Sequence, residues 1–75
     1  MHDEEEEAER ERRERGHSQR VAILAVLSKE DRELTPTQIQ AELPGAPPLG
    51  IVYYHLRVLE KARLVREKGG SYSLP

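Results

Sequence analysis

Between Leu34 and Leu74 two helical patterns are split by a segment that neither can cross, and a glycine pair follows them. The first pattern opens on Thr35-Pro36-Thr37-Gln38. Thr35 can cap, Pro36 occupies a first helical position where no N–H is needed, and Gln38 stands at the capping-box position. Ile39 and Leu43 follow at i,i+4 and face one side. Pro44-Gly45-Ala46-Pro47-Pro48 then forces a bend, with Pro48 near the next helix start. From about Leu49 to Ala62, Val52, Leu56 and Leu59 recur at i, i+4, i+7, with Val58 half inside. Leu64-Val65-Arg66-Glu67 and Ser71-Tyr72-Ser73-Leu74 read as two strands around Lys68-Gly69-Gly70, with Val65, Tyr72 and Leu74 as the packing side. A helix of two turns and a lone hairpin are each marginal in water, so all must share one core. The order predicts a mainly α fold with a small β-hairpin, the layout of a winged helix-turn-helix.

Seventy-five residues make one domain at most, with a small core for which oligomerisation is a common remedy. Cysteine is absent, which removes disulfides, thiolate nucleophiles and thiolate metal sites. No apolar run is long enough to span a bilayer, and the acidic start is unlike a signal peptide. The expectation is a cytoplasmic protein without membrane contact.

The formal net charge of −2 argues at first against nucleic acid, but the charge is unevenly spread. Residues 1–15 carry eight acids and four arginines, net −4, whereas residues 16–75 carry eight bases and six acids, net +2. This places a charged extension at 1–16 and a mildly basic domain at 17–75. Residues 2–15 hold no large apolar side chain. Disorder suits that composition, and so does a solvated helix, since Glu6–Arg10, Glu9–Arg13 and Glu11–Arg15 are acid-first i,i+4 pairs. Gly16-His17-Ser18 is expected to break or cap the run. The plain role for this extension is a solubilising tail. A sharper one is that its acids compete with DNA phosphates for the basic face.

Ser18 is a candidate N-cap for a helix over residues 19–30. Val21, Ile23, Leu24, Val26 and Leu27 make it more apolar than one buried stripe requires. Leu24 and Leu27 suit the core. Val21, Ile23 and Val26 are then candidates for contact with a second copy of the chain.

On the 49–62 helix, Gly50, Tyr53, Tyr54, Arg57 and Lys61 lie mainly opposite the buried stripe. In a helix-turn-helix the second helix enters the major groove, and its N-terminal residues meet base edges. Arg57 suits guanine or phosphate, and the tyrosines offer hydroxyls to phosphate or a ring face to thymine methyls. Tyr54 alternatively closes the core edge. Thr37 and Gln38 on the preceding helix, and Arg66 and Lys68 on the wing, complete the candidate DNA contacts. His55 is either a phosphate donor or a hydrogen-bonded boundary residue. The three histidines share no ligand spacing, so no metal effector is expected. No cofactor is implied.

At these residues the chain resembles the ArsR-type winged-helix repressors. The quoted matches are Arg20-Val21-Ala22-Ile23-Leu24, the Leu34–Leu43 helix, and Val52-Tyr53-Tyr54-His55-Leu56-Arg57-Val58-Leu59-Glu60-Lys61-Ala62-Arg63-Leu64-Val65. The resemblance covers about residues 19–74 and implies a homodimeric transcriptional repressor on a palindromic double-stranded DNA operator. Several features depart from it. Gly50-Ile51 stand where that family has Ser or Thr, and Arg63 replaces its usual glycine. The bend is longer, and the C-terminal dimer helix and metal-sensing clusters of that family are missing. A dimer would then rest on Val21–Leu27 and the N-terminal segment.

Two functions stay open on the sequence. One is a sequence-specific DNA-binding regulator. The other is a protein-interaction module on the same scaffold, which the low charge and lost hydroxyls would suit. An RNA role would need a wider basic surface. An enzyme is not expected, since no nucleophile has a base and an orienting acid at interpretable spacing.

Overall fold

The computed structural model describes residues 4–75. Helix α1 runs from Glu4 to Glu30, α2 from Pro36 to Glu42 and α3 from Leu49 to Lys61. Strands β1, Arg66–Lys68, and β2, Ser71–Ser73, form an antiparallel hairpin. The winged helix-turn-helix order expected from the sequence is therefore present. The parts of the 2–15 segment at positions 2 and 3 lie outside the described residues.

The core is one cluster: Ile23 and Leu27 of α1, Leu34, Ile39 and Leu43 around α2, Val52, Leu56 and Leu59 of α3, then Val65 and Tyr72. Each fully buried aliphatic side chain contributes about 1.5–3 kcal/mol relative to exposure. The Thr35 capping box is complete: the Gln38 N–H donates to Thr35 Oγ1 at 3.2 Å, and the Thr35 N–H donates to Gln38 Oε1 at 2.9 Å. Across the bend, Gln40 Nε2 donates to the Pro47 carbonyl at 2.8 Å and fixes how α3 leaves α2.

Four expectations are corrected. First, Gly16-His17-Ser18 neither breaks nor caps α1, which passes through it without interruption. With residues 14–17 helical, the amides after Ser18 already have carbonyl partners one turn back, so no cap is required. One helical glycine costs about 1 kcal/mol, less than the strong helix formers around it supply together. Second, Ile23 points into the core and is 0 % exposed, so it is not available to a second copy. The inward stripe of α1 is half-buried Gly16 and Arg20, then buried Ile23 and Leu27, spaced 4, 3, 4. Its upper members are not apolar, which hid it from a hydrophobicity reading. Leu24 is only half-buried. Third, Leu74 is 39 % exposed rather than packed. Fourth, Lys68 belongs to β1 and not to the turn, which is Gly69-Gly70 alone. Both glycines have positive φ, 59° and 85°, which the two-residue hairpin demands. The Gly70 N–H also donates to Glu67 Oε1 at 3.0 Å and closes the tip.

Two features lay beyond the sequence reading. Leu34 pairs with Tyr72 as an isolated bridge, with N–H to carbonyl distances of 2.9 and 2.7 Å. This ties the wing to the entry of α2. Arg63 takes a left-handed φ of 62° just after α3. There the Leu64 N–H reaches the Leu59 carbonyl and the Arg63 N–H reaches the Glu60 carbonyl, both at 2.9 Å, which is a Schellman closure with a non-glycine residue in the strained position.

Candidate nucleic-acid interface

Helix α3 buries Val52, His55, Leu56 and Leu59 and turns Gly50, Tyr53, Tyr54, Arg57 and Lys61 to solvent. The exposed set repeats at the 3–4 spacing of one helical stripe, so all five positions share a face. Tyr54 is 59 % exposed and therefore does not close the core edge. Along that stripe Lys61 lies about 16 Å of helix axis beyond Gly50, at 1.5 Å per residue. Gly50 has open space where a Cβ would stand, so a close approach by another molecule is possible there.

Thr37 and Gln38 are exposed on the first turn of α2. Gln38 Oε1 is committed to the cap, which leaves its amide nitrogen for outside contacts. On the wing, the register pairs Arg66 with Ser73, Glu67 with Tyr72 and Lys68 with Ser71. Arg66 and Lys68 thus share the strand face opposite to that of buried Tyr72. The Tyr72 phenol has its pKa raised, first by burial and then by the Glu60 and Glu67 charges, with Tyr53 and Arg57 also within electrostatic reach. Tyr72 shares the core cluster with Leu56 and Leu59, which seats the wing on the helical core.

His55 is 5 % exposed and anchors α3 to α1. An arginine can only donate, so the Arg20 Nη1 to His55 Nδ1 contact at 3.3 Å makes Nδ1 an acceptor. The ring proton then sits on Nε2 and is donated to Gln19 Oε1 at 2.7 Å. Burial, and after it the Arg20 charge, holds the imidazole pKa below its ordinary value, in keeping with a neutral ring. Of the two roles left open for His55, this burial and these partners fit the hydrogen-bonded boundary residue. The Tyr54 ring meets it edge-on, with centroids 5.3 Å apart.

The sequence reading passed over one part of this surface. A cleft of about 460 Å³ lies between α1 and the first half of α3, with Arg12, Arg13, Arg15 and Arg20 on one wall and Ile51 and Tyr54 on the other. The signal was present in register: Arg12 continues the Gly16–Arg20–Ile23–Leu27 stripe by one further step of four. It was missed because the extension was read as separate from the domain. Val21 is 51 % exposed, whereas Val26 is half-buried and packs against the core cluster rather than standing free for a second copy.

No helix among the described residues is long and apolar enough to cross a membrane. No curated protein and no solved structure matches the chain significantly. A family model described as a helix-turn-helix domain matches residues 16–68, well over half of the sequence, from the middle of α1 to the end of β1. That span contains the bihelical unit, the exposed α3 stripe and the first wing strand, and on this ground the chain belongs to the helix-turn-helix domain family, whose members support DNA binding and transcription regulation.

Proposed function

We propose that this protein is a sequence-specific double-stranded DNA-binding transcriptional regulator of the repressor kind, related to the ArsR-type proteins it resembles. The observation that carries the reading is the solvent-facing α3 stripe of Gly50, Tyr53, Tyr54, Arg57 and Lys61, presented by a helix-turn-helix. In this reading the first half of α3 enters the major groove. Arg57 reads guanine or holds a phosphate, and the tyrosines contact phosphate oxygens or thymine methyls. Thr37 and Gln38 meet the backbone beside the groove, and Arg66 and Lys68 reach the backbone or minor groove from the wing. Occupying an operator in this way blocks transcription without catalysis or a metal effector.

A second copy would dock on α1 through exposed Val21, giving a homodimer on a palindromic site. Residues 17–75 form the DNA-reading domain in this scheme, with 1–16 as its extension. The surface that favours a second reading, a protein-interaction module, is the exposed apolar group of Ile51, Tyr53 and Tyr54.

Selection from a random duplex library at two salt concentrations separates the readings. Enrichment of one palindromic motif, lost in Arg57→Ala, is the expected result. Weak, unselective binding that vanishes with modest salt reflects phosphate attraction alone and moves the assignment to the interaction module.

A further inference from the structure

The N-terminal stretch of α1 continues the helix beyond the core, and three of its four arginines line a cleft against α3. The cleft between α1 and α3 is lined by Arg12, Arg13, Arg15 and Arg20. No carboxylate among the described residues lines it. At 100° per residue Glu14 sits about 160° and Glu11 about 100° around the helix from Arg12, whereas Glu9 sits about 60° away but outside the lining. Arg12, Arg13 and Arg15 make no hydrogen bond or ion pair with a described residue. Arg20 is oriented instead: its guanidinium lies back over Gly16, where a Cβ would stand 3.5 Å from Nη1, and His55 accepts from it.

The direction of the overhang matters as much as its charge. Gln19 and Arg20 meet His55, whereas Arg12, Arg13 and Arg15 share a cleft with Ile51 and Tyr54 nearer the start of α3. Residues 15–22 of α1 also border the bend before α3, and Leu27 and Asp31 border the wing after it, so the overhang lies on the side of the α3 start that a helix-turn-helix inserts into the groove. Arg12 to Arg20 spans about 12 Å of helix axis. A duplex strand places a charge every 3.4 Å or so along its axis, so this wall can meet more than one phosphate.

We propose that the arginine face of the α1 overhang is a phosphate clamp, which grips the DNA backbone flanking the groove that α3 enters. This rests on the DNA-binding reading above. It reverses the role expected of the extension, since three of its arginines and none of its described acids line the cleft. The residues added to the interface are Arg12, Arg13 and Arg15, with Arg20 held ready by His55.

The test is fluorescence-anisotropy titration of a duplex by the full chain across a salt series. Four proteins are compared: wild type, the triple variant Arg12→Gln/Arg13→Gln/Arg15→Gln, and the single variants Arg12→Gln and Arg10→Gln. Circular dichroism confirms equal helix content. The slope of log affinity against log salt is expected to fall by about 0.9 for each arginine that meets a phosphate, so by roughly 2 to 3 in the triple variant. Arg10 stands in the same segment but does not line the cleft, and it removes the same charge. Arg10→Gln should leave the slope at the wild-type value while Arg12→Gln lowers it. Equal slopes in wild type and triple variant, with binding still dependent on Arg57, would overturn the clamp and leave the α3 interface standing. Equal losses in Arg10→Gln and Arg12→Gln would overturn it too, by reducing it to net charge. Failure of the wild type to bind duplex even at low salt would remove the DNA-binding reading and the clamp with it.

Discussion

The two halves of α1 are one unbroken helix held by different forces. From Gln19 to Leu27 the helix is fixed by burial: Ile23 and Leu27 sit in the core, and Gln19 and Arg20 hold His55 of α3. From Glu4 to Arg15 no large apolar side chain exists, and every residue but half-buried Ala8 is exposed. That half is helical through the propensity of its residues, each contributing only tenths of a kcal/mol. An isolated helix of twelve such residues is marginal. Joined to a packed helix it needs no nucleus of its own, because each new turn only propagates an existing one. The elongated outline of the molecule, 48 × 24 × 20 Å, follows from this. A small core can thus project a charged rod well beyond itself.

The sharpest way to break this comparison is to remove packing from the buried half. Ile23→Ala should cost about 2–5 kcal/mol. In a domain this small that abolishes most of the cooperative transition, read by urea unfolding. A loss below about 1 kcal/mol would mean that α1 is not core-anchored. At the junction, His55 couples the halves to pH. Its folded pKa is depressed, so below the ordinary value of 6.5 the unfolded chain binds protons more readily than the folded one. Stability is full above that pH and is lost as the pH falls through the folded value. The urea midpoint of wild type should drop on acidification, and His55→Gln should flatten that drop.

Two gains test where strain is stored. Arg63→Gly should stabilise by about 1 kcal/mol, because a left-handed non-glycine residue costs about that much. The change leaves α1 untouched, so it supplies a stability control for the DNA titrations. Gly16→Ala should add about 0.5–1 kcal/mol, since the new methyl meets only ordinary contacts with Arg20 and His55. A gain there, seen by thermal melting, would show that the junction stays helical in solution, and a loss would show that it bends. The smallest effect is expected in the overhang itself. Glu9→Ala should move stability by less than about 0.5 kcal/mol.

Much of the bihelical unit and wing was legible because its signals are local. The capping box needs only Thr35 and Gln38, the α3 stripe only the i, i+4, i+7 spacing, and the hairpin only two glycines at positive φ. The exposed stripe from Gly50 to Lys61 followed from that same periodicity. The Arg12–Arg15 wall was not legible, because an arginine beside a cleft and an arginine in a solvated tail have the same sequence. Ser18 misled for a related reason: a capping side chain marks a helix start only if the chain before it is not already helical.

By itself the sequence determined the order of elements and the inward faces of α2 and α3, since capping, turn chemistry and hydrophobic period act within a few residues. Only the tertiary structure decided that α1 continues through Gly16, that Ile23 rather than Leu24 fills the core, and that Leu34 bridges Tyr72. It alone seated His55 between Gln19 and Arg20. Each of these depends on which atoms far apart in the chain exclude water together, and free energy of that kind has no period to read.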